Sequence, residues 1–212
     1  MTSALDTAKM EKDMPHEKDK FETFRQGFPA LKDQTYISIC DKMILHDDVR
    51  SAVEAFLDHL ALASANRVEH EVKVTSAREK FARLMNVPAA TVAATRNVSD
   101  GINTVAWALP LAEGDNVIVT ADVEHPNNIY PWLRQQRRGV EIRCVEANPD
   151  GSLNIEAMIE AMDKRTRIIT CATVTFAPGH RTNVHRLGEA CRKNDVFLLV
   201  DGVQSAGIMH HD

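Results

Sequence analysis

From about residue 92 onward, short apolar runs alternate with segments of helical periodicity, and turn residues mark the joints. This alternation constrains the fold more than any other feature, because a strand followed by a helix and another strand returns to the same sheet in parallel. The strand-like runs are Val92 to Thr95, Val117 to Thr120, Val140 to Val145, Arg167 to Ala172 and Val196 to Val200. All read as continuously apolar rather than alternating, so each is expected to be covered on both faces, as parallel strands are. Between them, Ile102, Val105, Ala106 and Leu109 share i, i+3, i+4, i+7 spacing, and so do Ile155, Met158, Ile159 and Met162. A further helix is expected from about Val184 to Lys193, with Thr182 or Asn183 as its N-cap. Two more are expected over Val49 to Ser64 and Glu71 to Met85, the second ended by Pro88. Asn148-Pro149-Asp150-Gly151 reads as a turn inside a domain.

The organisation expected is therefore a flexible tail over 1–20, a helical segment over 21–90 and an α/β domain with a mainly parallel sheet over 91–212. With 44% apolar residues in 212, the chain can bury one sizeable core. A net charge of −5 without a dominant basic stripe argues against nucleic acid as a partner, and Arg134, Arg137 and Arg138 read as a solvated helix face. The longest uninterrupted apolar run, Val196 to Val200, falls far short of the roughly 20 residues that cross a bilayer, so no membrane partner is expected. Residues 1–20 lack the apolar stretch of a secretory signal. Cys40, Cys144, Cys171 and Cys191 have neither metal-ligand nor disulfide-framework spacing, which fits a reducing cytoplasm; Cys144 and Cys171 read as core.

In an open parallel sheet, ligands bind outside the carboxyl ends of the strands. Four such ends carry notable polar residues. Arg96-Asn97-Val98-Ser99-Asp100-Gly101 opens the helix containing Ile102, and a helix start suits a phosphate through its free N–H groups and dipole. Ser99 can donate a hydroxyl there, or Ser99 or Asp100 can simply cap the helix. Glu124-His125-Pro126-Asn127-Asn128 follows the second run, and its imidazole can stack on a planar ring, move protons, or be structural. Thr173-Val174-Thr175-Phe176-Ala177-Pro178-Gly179 is a hydroxyl-rich loop. Finally, Val196 to Val200 delivers Asp201 to a strand end expected to be buried. A carboxylate there needs a cation or donors, unless it only caps the turn at Gly202. An anchor, a clamp and an acid at one sheet edge match what pyridoxal phosphate requires: a grip on the phosphate, a partner for the ring, and an acid that holds the pyridine nitrogen protonated.

The same elements, in this order from about Tyr36 to Asp212, resemble the class V group of type I pyridoxal-phosphate enzymes. That group includes cysteine desulfurases, selenocysteine lyases, isopenicillin N epimerases, kynureninases and several aminotransferases. Thr95 to Asn103 is similar to the phosphate-binding turn, with Val98 where a hydroxyl residue is common. Glu124-His125, followed by Asn128 and Pro131-Trp132, resembles the segment whose His stacks on the ring. Asp201-Gly202-Val203-Gln204 is similar to the Asp-x-x-Gln element.

The resemblance implies a type I large domain, incomplete at its C-terminus. It implies His125 as catalytic residue and ring clamp. The other cofactor-binding positions implied are Val98, Ser99, Thr175, Asp201 (ring nitrogen) and Gln204 (phenolic oxygen). The substrate implied is an amino acid, transformed by transamination, epimerisation or C–S or C–Se lysis in a cytoplasmic homo-oligomer. Thr175-Phe176 with Gly179-His180-Arg181 is nearer the epimerase and aminotransferase branch, since desulfurases usually carry Asn where Phe176 stands. The family's Schiff-base lysine follows the Asp-x-x-Gln element by a few tens of residues, so neither Lys164 nor Lys193 takes that role. The alternative to a cofactor cradle is an inactive truncated or split fragment that acts only with a partner chain carrying that lysine. A generic nucleotide-binding domain is disfavoured because the Gly-x-Gly-x-x-Gly turn is missing.

Overall fold

The structure is a computed structural model that describes residues 17–40 and 42–210. The tail expected over 1–20 lies outside the described residues up to position 16, and from Glu17 the chain is helical. The chain divides at Glu71 into two compact units.

The first unit contains α1 (Glu17–Gln26), a 3-10 turn (Pro29–Leu31) and α2 (Asp47–Ala61). His46 caps α2, its Nδ1 accepting from Asp48 N–H at 3.1 Å. The same ring stacks on Phe24 (4.9 Å, 19°) and meets Phe28 edge-on (5.0 Å, 88°). Gly27 allows this knot, because a Cβ there would collide with the His46 ring. Helix α3 (Arg67–Leu84) continues into the second unit. It stops at Leu84, four residues before Pro88. Asn86 takes a left-handed φ of 52°, while Val87 N–H reaches Ala82 O and Asn86 N–H reaches Arg83 O, so a Schellman closure ends the helix.

In the second unit, β1 (Asn116–Val119), β2 (Glu141–Cys144), β3 (Thr166–Ala172) and β4 (Phe197–Asp201) form one sheet, all pairs parallel, in the order β2-β1-β3-β4. Helices α4 (Val98–Ala108), α5 (Tyr130–Gln135), α6 (Ile155–Glu160) and α7 (Val184–Lys193) connect and cover the strands. Because successive strand residues point to opposite faces, two cores result. Val117, Val119 and Ile168 pack with Ile102, Ala106 and Trp132 on one face. Ile118, Ile169 and Cys171 pack with Met158, Leu187 and Cys191 on the other. The α/β class with a mainly parallel sheet is as expected.

Several details differ from the sequence reading. Val92 to Thr95 is not a strand: it follows a 3-10 turn (Ala89–Thr91) as extended chain and joins no ladder among the described residues. Continuous burial holds for inner strand β1 and for nearly all of β3, but outer strands β2 and β4 are largely exposed or half-buried, and Cys144 is exposed. An apolar run signals a strand without saying whether a neighbour covers it. Arg138 is no idle surface charge: it donates to Gln135 Oε1 (3.0 Å) and Leu111 O (3.2 Å) and lies over the Trp107 ring. Asn183, not Thr182, caps α7.

Candidate functional site

The strand order reverses direction at β1. The connection through β2 goes to one side of it, and β3 and β4 lie on the other. Connections leaving the carboxyl ends of β1 and β3 therefore diverge to opposite faces, and the crevice between those ends is the topological switch point. Three of the segments singled out in the sequence emerge there, after β1 (Glu124, His125), β3 (Thr173 to Arg181) and β4 (Asp201 to Gln204).

Glu124 spans the crevice. It is 6% exposed, with Oε1 accepting from Ala172 N–H at 2.7 Å and Oε2 from Asn128 Nδ2 at 2.9 Å. The first bond ties the β1 loop to the last residue of β3, and the second closes the 3-10 turn Pro126–Asn128. That turn packs against both α4 and β3. Burial pushes the Glu124 carboxyl above its ordinary range, and the charge of Asp201 adds to this, while the Ala172 and Asn128 donors oppose it. Sequence reading quoted Glu124 only as the companion of His125. Its role as a staple rests on the pairing of β1 with β3, which no local pattern reveals.

His125 follows directly, and its ring is exposed. Its Nδ1 lies 2.6 Å from Asn127 Oδ1, and the ring meets Phe176 edge-to-face at 4.9 Å and 82°. Phe176 N–H donates to Val123 O (2.9 Å), which fixes the phenyl beside the imidazole. In the sequence alone Asn127 carries no site signal, and Phe176 marks only the branch.

Asp201 ends β4 half-buried rather than fully buried, because β4 is the outer strand on its side of the described sheet. Its Oδ1 accepts from Val203 N–H (2.9 Å), so the carboxylate does brace the turn at Gly202. Gln204 is half-buried in that turn. The turn is latched to β3: Thr173 N–H and Oγ1 both donate to Asp201 O (2.9 and 3.2 Å), and Thr173 Oγ1 lies 2.7 Å from buried Ser205 Oγ. Neither latch residue was singled out as a site position from the sequence. Thr175 is buried and its hydroxyl oxygen accepts from His180 N–H at 2.9 Å, so it shapes the loop. Gly151, at φ 82°, brings the Asn148 turn against Pro178 of the same loop, where a Cβ would clash.

At the start of α4, neither Ser99 nor Asp100 is the cap. Asn97 is, its Oδ1 accepting from Asp100 N–H at 2.8 Å. Ser99 is thereby exposed in the first turn, whereas the Val98 side chain packs against the core. Asp100 pairs with Arg96 (2.8 Å).

A profile of the class V aminotransferase family matches residues 47–212. The chain belongs to that family. A probable cysteine desulfurase of Methanothermobacter thermautotrophicus is 31% identical over 196 residues, covering 90% of this chain and 49% of that protein. A cysteine desulfurase of Salmonella dublin is 29% identical over 207 residues, covering 90% of this chain and 50% of its own. Among solved structures, a C-DES mutant with glycine covalently linked to its PLP cofactor superposes with a TM-score of 0.78 at 25% identity, over 89% of this chain and 51% of that one. The cysteine desulfurase CsdA of Escherichia coli gives 0.76 at 26% identity, over 90% and 50%. The fold is that of the type I pyridoxal-phosphate enzymes' large domain. The chain spans about half the length of the curated relatives it matches.

Proposed function

We propose that this chain forms the cofactor cradle of a pyridoxal-phosphate enzyme that cleaves the C–S bond of cysteine or a cysteine-derived amino acid. The observation that carries the reading is the convergence of two carboxyl groups at the carboxyl edge of the sheet, Glu124 after β1 and Asp201 at the end of β4, with the Glu124 carboxyl raised chiefly by burial and further by the charge of Asp201. An edge that concentrates negative charge favours a cation, and a protonated pyridine nitrogen is one. The other groups present fit the rest of the cofactor: an exposed imidazole for the ring, and a helix start with a first-turn hydroxyl for the phosphate. Pyridoxal phosphate supplies an electron sink for the α-carbon of the amino acid.

In this assignment Asp201 holds the ring nitrogen protonated and His125 stacks on the ring. Gln204 reaches the phenolic oxygen, and Ser99 with the Val98 and Ser99 N–H groups binds the phosphate. Thr175 shapes the loop that borders the ring. Glu124 and the Thr173–Ser205 latch keep the three loops in register. Of the reaction types the resemblance leaves open, C–S lysis is the one carried by the relatives' names, which include cysteine desulfurases and the cystine C–S lyase C-DES. The chain covers half of those proteins, so the reacting lysine and the residues that read the substrate are assigned to the remaining half, in the same polypeptide or a complementary one. The test is incubation of this chain together with the half that supplies the lysine, in one polypeptide or two, with pyridoxal phosphate and L-cysteine or L-cystine. Sulfur release that Asp201→Ala reduces at least tenfold is expected; amino-group exchange with a keto acid and no sulfur release overturns the assignment.

A further inference from the structure

The surroundings of His125 carry information beyond the ring stacking assigned to it. Its Nδ1 sits 2.6 Å from Asn127 Oδ1. An amide oxygen only accepts, so this contact requires a proton on Nδ1. The alternative is an inverted amide, with Asn127 Nδ2 donating to a bare Nδ1; that would compress two nitrogens to a separation short even for N–H···O bonds. Asn127 N–H also approaches Nδ1, at 3.3 Å, and would need a lone pair there. The two contacts make opposite demands on one atom, and the shorter prevails. The ring is held from another side by Phe176, which is itself anchored through its backbone to Val123.

We propose that Asn127 is a positioning residue for His125: its side-chain oxygen holds the imidazole proton on Nδ1 and leaves Nε2 as the proton-accepting nitrogen, while Phe176 fixes the tilt of the ring. The consequence for chemistry rests on the cradle reading above, because it sets which nitrogen of a ring stacked on the cofactor can take up a proton. The tautomer itself does not depend on that reading. In water a neutral histidine side chain favours the proton on Nε2, so the arrangement reverses the ordinary preference.

Long-range proton–nitrogen NMR on the full chain labelled at histidine nitrogen tests this in mildly alkaline buffer, where imidazoles are neutral. The His125 signals are assigned by their loss in His125→Gln. The wild type is expected to show a protonated Nδ1 and a bare Nε2. In Asn127→Ala the ratio of the Nδ1–H to the Nε2–H form should fall about tenfold, as loss of one hydrogen bond allows. Asn127→Asp, which keeps an acceptor in place, should retain the Nδ1–H form. Phe176→Leu should shift the carbon-bound protons of the ring by removing the neighbouring ring current, with the tautomer unchanged. An Nε2–H form in the wild type, or an Asn127→Ala ratio equal to wild type, overturns the proposal. The wild-type spectrum decides even if a variant fails to fold. Because no cofactor is added, a negative result leaves the cradle reading standing, and failure to bind pyridoxal phosphate leaves the tautomer standing.

Discussion

At the amino end of the sheet Asp115 and Asp163 are each matched by an arginine, whereas at the carboxyl end Glu124 is held by a backbone and an amide donor and is raised by burial and, less, by the charge of Asp201. Asp163 pairs with Arg143 (2.8 Å) and accepts from Arg165 N–H and Asn116 Nδ2, which together hold its carboxyl down at about 2. Buried Asp115 accepts from Ala112 N–H (2.9 Å) and meets Arg167 (3.0 Å). Burial raises its titration, but those partners outweigh it and the net shift is downward. Opposite, Glu124 is buried and shifted up. One end of the same strands has its charges mutually satisfied and serves stability. The other holds a buried carboxyl group shifted upward, at the edge where the proposed cofactor would sit.

Breaking the staple should have the largest effect on the fold. Glu124→Ala leaves the Ala172 N–H and Asn128 Nδ2 without their acceptor in a buried place, an expected loss of about 3 kcal/mol by denaturant unfolding. Glu124→Gln should cost far less, because Asn128 Oδ1 is buried without a hydrogen-bond partner and can accept from the new amide once Asn128 turns over. At the amino end, Asp115→Ala removes the acceptor of Ala112 N–H and should cost about 2 kcal/mol, less because Arg167 is partly exposed and can rehydrate. Cofactor affinity of the folded Asp115→Ala protein should match wild type; a matching loss of affinity would erase the division between the two ends.

The smallest effects lie in the pH dependence, where the ends should oppose each other. Asp163 is lowered on folding, so its contribution is present above the ordinary carboxylate pKa of about 4 and is lost as pH falls through about 2. Glu124 is raised on folding, so stability is full while it is protonated and declines as pH rises from about 4 through its higher folded value. Urea midpoints across this range should decline less toward neutral pH in Glu124→Gln than in wild type. Parallel curves would remove Glu124 as the source.

The sequence exposed what is local. Runs of apolar residues located the four described strands to within a residue or two, helical spacing located α4 and α6, and a capping residue located α7. The His125 and Asp201 segments were placed at strand ends, where the structure has them, because each follows an apolar run. What stayed hidden depends on partners far along the chain. The exposure of β2 and β4 follows from their outer places in the sheet, and the missing strand at Val92 from the lack of a ladder neighbour among the described residues. The Glu124 bond to Ala172 spans 48 positions, and the Thr173–Ser205 latch spans 32. Asn97 as the cap of α4 was within reach, since Asn is as good a cap as Ser or Asp and stands at the boundary.

The central claim is that the carboxyl edge, through Asp201, takes the cationic form of pyridoxal phosphate. Equilibrium dialysis of pyridoxal phosphate against wild-type full chain and Asp201→Asn, with the unfolding midpoint of each measured alongside, tests it most directly. The account predicts at least a tenfold loss of affinity, about 1.4 kcal/mol, with stability changed by less than about 0.5 kcal/mol because Asn keeps an acceptor for Val203 N–H. Equal affinity in the two proteins would contradict it.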